Sequence, residues 1–310
     1  MLTRRFIAVS RLCSTILIGV TLLTGQFALA QDNSQGRYRP DGRQLAQGVA
    51  RELGEQLYEV RTYDPEPQVA EFSAATIFYP LTLSFAPPIG AAVLVPGYRG
   101  TAEDYSWWGP MLASFGYAVM IIDTNTVEDN LEARKQALLA AVDFIKNENN
   151  DPDSPIQGRI DTGKIAIMGH SLGGGAALQA ARELGDDLGA VIPLLPYCCE
   201  LGQSFSGDLA GLSAPLLIMA TAEDTVAPPA THARLLYDTA DGAASRVYME
   251  FATGNHMMAN NTGQELAAMG RYAMAFLKFH LDAQPRYEAV IYGDQEAPFA
   301  DKFSRYDTSR

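Results

Sequence analysis

The stretch Gly169-His170-Ser171-Leu172-Gly173-Gly174-Gly175 decides how the rest of this sequence is interpreted. It contains a Gly-x-Ser-x-Gly pattern, which occurs by chance often enough that its surroundings must support it. An apolar run of strand character, 164–168, stands directly before it, and a helix-compatible run, AALQAARELG, stands directly after it. A tight turn from strand to helix strains the serine, and glycines at its flanks avoid a clash. The alternative, a glycine-rich helix start with a serine cap, does not require the strand.

Seven short apolar runs are spread along the chain, and each is typical of a strand in the interior of a sheet. They are rich in Val, Ile and Leu without polar alternation, which is the pattern of a parallel sheet covered on both faces. The runs lie at 75–80, 91–95, 117–122, 164–168, 189–195, 215–220 and 246–251.

Amphipathic stretches separate these runs. In the stretch 130–147, Leu131, Leu138 and Val142 recur on one helical face. Strands that alternate with helices predict an α/β domain with a mostly parallel, doubly wound sheet. The segment 147–161, with its Asn, Asp, Pro and Gly residues, is predicted to be a surface loop. The other helical stretches are 43–58, 172–184, 228–238 and 264–282.

A catalytic serine needs a base, and the base needs an acid that orients it. In the α/β-hydrolase fold, which the serine turn and the alternating elements predict, acid and histidine follow the serine in that order, each after a later strand. Only His256 follows a strand, 246–251, because the other three histidines lie in the serine turn or in helical stretches. Glu223 and Asp224 both follow the run 215–220, and the residues alone leave both open as the acid.

Ester hydrolysis by such a serine also needs two backbone amides that hold the oxyanion formed during attack. One comes from the residue after the serine, Leu172, and the other from a loop after an early strand. Here that loop is 95–101, and Tyr98 is the expected donor. The loss of one such donor typically lowers the rate by about 10²–10³-fold.

Five segments, in this order and spacing, resemble the bacterial cutinase and poly(ethylene terephthalate) hydrolase family, over about residues 70–285. The resemblance implies that Ser171 is the nucleophile, Asp224 the acid and His256 the base, with the amides of Tyr98 and Leu172 as the oxyanion hole. It therefore favours Asp224 over Glu223. The segments are VPGYRGT (95–101), IIDTNT (121–126), GRIDTGKIAIMGHSLGGG (158–175), EDTVAPPATHA (223–233) and GNHMMAN (254–260).

The same resemblance implies that Tyr98, Tyr197, Val226 and Met257 contact the substrate. Tyr197 stands where the family usually has Trp, which reduces the surface available for stacking on an aromatic acyl group. Met257 replaces an aromatic residue, and Leu172 stands where the family usually has Met. The C-terminal region also lacks the Cys pair that closes the family's tail. These departures bear on how well aromatic polyesters are hydrolysed, and they do not affect the prediction of ester hydrolysis itself.

Two features beside the predicted site bear on its shape and redox state. The segment 196–214 is too short for the sizeable lid that many lipases insert there, so we expect no large lid and an open cleft that accepts bulky esters. Cys198 and Cys199 follow Tyr197 directly. For this pair the sequence leaves three states open, namely free thiols, a vicinal disulfide and a crosslink to a partner.

The first thirty residues predict a signal peptide. A positive start precedes the apolar run Leu12–Leu23, and Ala28-Leu29-Ala30 provides small residues at the cleavage positions before Gln31. The apolar run is too short to span a bilayer, which takes about 20 residues, so we expect no membrane anchor in the mature form. Secretion to the periplasm or the medium follows. Beyond the signal peptide we expect an N-terminal segment with one helix at 31–70 and a catalytic domain at 71–310.

Charge and composition exclude several partners. The 310 residues include 23 Lys and Arg against 36 Asp and Glu, for a net charge of −13. Phosphate binding needs a cationic face, so nucleic acid is not an expected partner, and the negative charge disfavours anionic lipid. We expect a monomer without a cofactor or a metal, because the chemistry requires none and no twelve-residue calcium loop is present.

The sequence therefore predicts a secreted serine ester hydrolase of the cutinase and polyesterase type. Its expected substrates are esters of short to medium acyl chains, with polyesters as further candidates. One alternative is a small-ester carboxylesterase or lipase without polymer activity. Another is a non-catalytic binding protein on the hydrolase fold, but a binding protein has no use for Ser171, Asp224 and His256 together.

Overall fold

The computed structural model describes residues 41–82, 86–203, 209–293 and 300–310. The predicted signal peptide, 1–30, lies outside the described residues. Within those ranges, no helix has the length and apolarity that a membrane span requires.

In the described ranges, nine strands form one sheet in the order β1-β2-β4-β3-β5-β6-β7-β8-β9. Strands β3 to β8 run parallel to one another, whereas β1, β2 and β9 pair antiparallel with their neighbours. The mostly parallel α/β fold is therefore confirmed. The strands are β1 Glu59–Tyr63, β2 Phe72–Leu81, β3 Ile89–Val95, β4 Ala118–Thr124, β5 Ile160–His170, β6 Ala190–Leu194, β7 Leu216–Thr221, β8 Arg246–Phe251 and β9 Phe303–Ser309.

Helices cover both faces of the sheet. Successive residues of a central strand point to opposite faces, so that Ala92 and Leu94 of β3 pack in one apolar cluster and Val93 in the other. Helices α1, α2 and α6 contribute to the first cluster, and α3, α4 and α5 to the second. The helices are α1 Asp41–Leu53, α2 Trp108–Ala113, α3 Leu131–Asn150, α4 Leu172–Leu184, α5 Ala233–Thr239, α6 Leu266–His280 and α7 Glu288–Tyr292.

The seven apolar runs of the sequence are all strands, but β1 and β9 were not predicted. Both lie at an edge of the sheet and are largely exposed or half-buried along their length. An edge strand packs against one neighbour only, so it needs no continuous apolar run, and its sequence does not differ from that of a loop. The short helices α2 and α7 were missed as well, because five or six residues show no clear helical period.

Several predicted boundaries were wrong. The helical stretch predicted at 228–238 is a short 3-10 turn, Pro229–Thr231, followed by α5, which begins only at Ala233. Helix α1 ends at Leu53 rather than at 58, because Gly54 adopts a positive φ of 68° and the Glu55 amide bonds back to the Ala50 carbonyl. The predicted loop 147–161 is shorter at its start, because α3 continues to Asn150 before Pro152 prevents further helix.

Residues 41–70, the described part of the segment before residue 71, pack on the same core. Helix α1 packs on α2 and α6, and β1 pairs with β2 along its whole length. Gly42 lets α1 approach closely, since a Cβ there would collide with the carbonyl oxygen of Trp107. The predicted division at residue 71 stays a prediction, and the described part of the earlier segment contributes a helix and a strand to this fold.

The connection from β6 to β7 bears on access to the predicted site. It comprises residues 195–215, and its described parts, 195–203 and 209–215, contain turns and no helix. The described residues therefore agree with the expectation that no large lid is inserted here.

Two glycines of α1 test how tightly this helix is docked. We expect Gly42→Ala to lower the free energy of unfolding by about 1–3 kcal/mol, because the added methyl group forces α1 away from Trp107. Gly48→Ala is the matched control: its methyl group would meet no atom, so better helix propensity should raise stability by about 0.5–1 kcal/mol. Urea unfolding of both variants measures the difference. Equal effects would contradict the close docking.

Candidate active site

Ser171 lies at the turn between β5 and α4 in a strained backbone conformation. Its φ is 55° and its ψ is −121°, in a region that residues other than glycine rarely occupy. Backbone hydrogen bonds hold it there, because its amide donates to the Leu194 carbonyl at 3.0 Å and its own carbonyl accepts from three amides. Those three amides belong to Gly174, Gly175 and Tyr197.

The glycines of the motif are required by close backbone contacts. A Cβ at Gly169 would collide with the Gly173 carbonyl oxygen, and a Cβ at Gly173 would lie 2.5 Å from the Pro96 carbonyl oxygen. On the other side, a Cβ at Gly97 would lie 2.9 Å from Nδ1 of His170 and 3.0 Å from Cβ of Ser171. The loop after β3 therefore packs directly against the serine turn.

The structure brings Ser171, His256 and Asp224 together in one line of hydrogen bonds. The distance from Ser171 Oγ to His256 Nε2 is 2.7 Å, and the distance from His256 Nδ1 to Asp224 Oδ2 is also 2.7 Å. All three side chains are more than nine-tenths buried. A carboxylate that accepts from Nδ1 leaves Nε2 free to accept the serine proton, which is the arrangement of a base-activated nucleophile.

Asp224, and not Glu223, is the carboxylate beside His256. Its second oxygen, Oδ1, accepts from the amides of Val226 at 2.9 Å and Ala227 at 2.8 Å. The Glu223 side chain turns away and accepts from the Gly254 amide at 2.9 Å. Backbone amides that fix the orientation of Asp224 therefore hold its carboxylate, rather than that of Glu223, beside His256.

The pKa of Asp224 lies below its ordinary value. Burial alone would raise this pKa, but the hydrogen bonds from His256, Ala227 and Val226 favour the charged form and outweigh burial. Asp224 is consequently ionised at neutral pH and can stabilise a positive charge on His256.

The predicted oxyanion donors lie on the two segments that flank Ser171. Leu172 begins α4 directly after the serine, and Tyr98 follows Gly97, which packs on the serine turn. Their roles stay predictions. A cation unnoticed in the sequence supports this loop: Arg134, fully buried, donates from Nη1 to the Pro96 carbonyl at 2.9 Å and from Nη2 to the Val127 carbonyl at 2.8 Å.

Apolar side chains form a rim around the buried centre. Val226 and Met257 are 56% and 48% exposed, and Tyr98 is exposed as well. Tyr197 is half-buried, with its ring 4.2 Å from that of His232 between centroids. Beside the serine turn lies a cleft of about 480 Å³. Its lining is Tyr98, Glu128, Asn130, Leu172, Glu200, Leu201 and Gln203.

Cys198 and Cys199 are joined by a disulfide in the structure, which corresponds to one of the three states that the sequence left open. The Cys198 amide donates to Nδ1 of His232 at 3.1 Å. His232 thus contacts both the ring of Tyr197 and the backbone beside the disulfide. These contacts connect Tyr197 and Cys198 to the loop before α5.

Several buried side chains near the centre were missed in the sequence. His170, next to the serine, lies between Tyr105 and the backbone of His256, with hydrogen bonds of 2.7 Å on both sides. Burial, with a smaller effect of the nearby His256, lowers the pKa of His170 to about 3. Asn261 bonds the loop after His256 to the segment 103–107. In the sequence, the only indication of these buried side chains was the presence of His170 inside the serine motif.

No group of three or more His, Cys, Asp or Glu side chains within the described ranges is arranged to hold a metal ion. The centre itself contains a hydroxyl, an imidazole and an ionised carboxylate along one line of hydrogen bonds. Those groups suffice for acyl transfer through a covalent intermediate on Ser171.

Comparisons with known proteins agree with this chemistry. The sequence profile of PET hydrolase-like proteins matches residues 54–309. A bis(hydroxyethyl) terephthalate hydrolase of Streptomyces coelicolor is 34% identical over 288 residues, which cover 93% of this chain and 86% of that protein. Cutinase 2 of Thermobifida cellulosilytica is 37% identical over 220 residues, covering 71% of this chain and 78% of that protein. Cutinase est1 of Thermobifida alba is 35% identical over 220 residues, covering 71% and 69%.

Two neighbouring carboxylates provide a matched test of the site. We expect Asp224→Asn to lower kcat on a soluble ester by about 10³–10⁴-fold, because an amide donating to Nδ1 enforces the wrong tautomer of His256. Glu223→Gln should stay within a few-fold of the parent, since its partner is the Gly254 amide. Initial rates and circular dichroism of both variants measure this. Similar losses in the two would contradict the assignment.

Acid sensitivity should follow from His170. The pKa of a histidine in the unfolded chain is about 6.5, whereas that of buried His170 in the folded protein is about 3. Between pH 6.5 and pH 3, His170 is therefore protonated in the unfolded state and neutral in the folded state. Stability should therefore fall on acidification below pH 6.5, by at most about 1.4 kcal/mol per pH unit for this group. Urea unfolding between pH 7.5 and 4.5 should show a smaller slope for His170→Gln. Identical slopes would exclude His170 as a source.

Proposed function

The chain belongs to the PET hydrolase-like family, and we propose that Ser171, His256 and Asp224 are the catalytic triad with which it cleaves carboxylic esters. It is a carboxylic ester hydrolase of the cutinase and polyesterase type. The observation that carries the triad is the continuous line of two 2.7 Å hydrogen bonds from Ser171 Oγ through His256 to Asp224.

The reaction takes place in two acyl-transfer steps. Nε2 of His256 accepts the Ser171 proton as Oγ attacks the ester carbonyl carbon, and Asp224 stabilises the imidazolium that forms. As the tetrahedral intermediate collapses, His256 gives that proton to the leaving alkoxide and the alcohol departs. Water then attacks the acyl-enzyme with His256 again as base, which releases the acid and regenerates the serine.

The amides of Tyr98 and Leu172 form the oxyanion hole in this proposal. Leu172 lies at the N-terminus of α4, where unpaired amides and the helix dipole favour a negative charge. Tyr98 lies on the loop that Gly97 packs against Ser171 and that Arg134 holds through the Pro96 carbonyl. Both donors are therefore on segments whose backbone is fixed before the substrate binds, which is what electrostatic stabilisation requires.

The rim favours large apolar esters. Tyr98, Val226 and Met257 are exposed around a centre that is itself buried, so an extended chain can lie across them while one ester bond reaches Ser171. Tyr197 provides a smaller stacking surface than a tryptophan, so we propose that aliphatic polyesters are better substrates than aromatic ones. A small-ester esterase would have the same triad, and only the substrate range separates the two.

The mature protein is proposed to be secreted and monomeric. Before Gln31 the sequence has basic residues, then an apolar run and then small residues, an order that supports export. The disulfide Cys198–Cys199 suits an oxidising compartment. The excess of acidic residues supports a soluble monomer.

The substrate class is tested with p-nitrophenyl esters from C2 to C12 and with a suspension of an aliphatic polyester. We expect the parent protein to clear the polymer and to hydrolyse the soluble esters, and Ser171→Ala to be inactive on both. Hydrolysis of soluble esters alone would leave the triad intact and favour the small-ester alternative. A variant Ser171→Ala as active as the parent would contradict the triad.

The open cleft predicts no activation at an interface. The rate on tributyrin should rise smoothly through its solubility limit, because the described part of the connection from β6 to β7 has no helix that must move. A lid-bearing lipase assayed in parallel is the control. A sharp increase in rate at the solubility limit for this protein would contradict an open site.

A further inference from the structure

A second line of hydrogen bonds lies behind the proposed triad. The hydroxyl oxygen of Tyr105 is 2.7 Å from Nδ1 of His170 and accepts from the Gly97 amide at 3.3 Å. Nε2 of His170 is 2.7 Å from the backbone carbonyl oxygen of His256. Tyr105 and His170 are each 1% exposed, so water does not compete for these bonds.

The direction of each bond follows from the chemistry of its partner. A carbonyl oxygen can only accept, so Nε2 of His170 carries a proton and donates to His256. A neutral imidazole with a proton on Nε2 has a lone pair on Nδ1, which accepts the proton of the Tyr105 hydroxyl. The Gly97 amide then donates to the remaining lone pairs of that hydroxyl. All three bonds are satisfied by one neutral form of His170, and burial keeps His170 in that form.

We propose that Tyr105 and His170 are positioning residues that hold the oxyanion loop and the catalytic histidine in register with the nucleophile. This inference rests on the proposed triad. The line begins at Gly97, one residue before the proposed donor Tyr98, passes through the residue next to Ser171, and ends on the backbone of His256. It thus joins the three segments whose relative positions the proposed reaction depends on.

The backbone of the loop after β8, which carries His256, is held at a second place as well. Gly254 has a φ of 131°, and the indoles of Trp107 and Trp108 donate to the carbonyl of Ala259. Those bonds fix the loop three residues beyond His256. Asp224 orients the imidazole ring, whereas His170 holds the peptide from which that ring projects.

Substitutions that preserve shape separate positioning from packing. Tyr105→Phe removes one hydroxyl oxygen and keeps the ring, leaving Nδ1 of His170 and the Gly97 amide without their partner. His170→Gln can keep a donor near the position of Nε2, whereas His170→Asn keeps only an acceptor near Nδ1. Tyr287→Phe is the matched control, since it removes the hydroxyl of a buried tyrosine whose partner, Glu55, belongs neither to this line of bonds nor to the triad.

Kinetics on p-nitrophenyl butyrate provide the first readout. We expect Tyr105→Phe to lower kcat about tenfold with KM within twofold, because a lost buried hydrogen bond changes a barrier by about that factor. His170→Asn should fall at least as far and His170→Gln less, by about threefold. The double variant of Tyr105→Phe and His170→Asn should be no slower than His170→Asn alone, since both interrupt one line. Tyr287→Phe should keep its kcat.

Proton NMR provides a second readout that packing alone would not change. The downfield resonance of the His256 Nδ1 proton, assigned by its loss in Asp224→Asn, should shift or broaden in Tyr105→Phe and stay in place in Tyr287→Phe. The proposal is overturned if Tyr105→Phe melts earlier but keeps both kcat and this resonance. If Tyr105→Phe does not fold, equal kcat values for His170→Gln and His170→Asn overturn it. An active Ser171→Ala would instead contradict the proposed triad, so the two failures are distinguishable.

Discussion

The close approach of two backbone segments is the constraint on which the rest of this structure depends. The loop after β3 and the turn after β5 approach each other closely, because a Cβ at Gly97 would lie 2.9 Å from Nδ1 of His170 and a Cβ at Gly173 would lie 2.5 Å from the Pro96 carbonyl oxygen. The sheet places these segments side by side, since β3 and β5 are neighbours and Val95 pairs with Gly169. The geometry of Ser171, the proposed nucleophile, and that of the loop carrying the proposed donor Tyr98 are therefore set by the same contact.

Buried polar groups also stabilise the loop after β3 that makes this contact. Arg134 has no carboxylate among its hydrogen-bond partners in the described residues and bonds instead to the carbonyl oxygens of Pro96, Val127 and Asp129. Burial lowers the pKa of this guanidinium, but three carbonyl dipoles and the nearby charge of Asp129 offset much of the loss of hydration. Arg134 therefore stabilises the backbone of the loop that carries Tyr98, the proposed oxyanion donor.

The sequence allowed much of this to be predicted, and the failures have physical reasons. The central strands, the serine turn and the histidine after β8 follow from local patterns that few other structures satisfy. Strands β1 and β9 lie at the edges, where half-exposed residues leave no apolar signature. The residues alone left Asp224 and Glu223 open as the acid, and only the family resemblance favoured Asp224, because the amides of residues 226 and 227 that orient it are directed by the folded loop. The bond from Tyr105 to His170 spans 65 residues, a distance over which no spacing rule applies.

The rim has a consequence for how such an enzyme can diversify. The backbone amide of Val226 donates to Asp224, yet the side chain of Val226 is more than half exposed, and Met257, which follows His256 in the chain, is exposed as well. In the proposed mechanism the Val226 backbone orients the acid, while the exposed side chains of both residues would contact the substrate. Exchanges on exposed side chains seldom change stability by more than about 0.5 kcal/mol. New substrate preferences can consequently accumulate at these positions one at a time, without first disturbing the machinery that they surround.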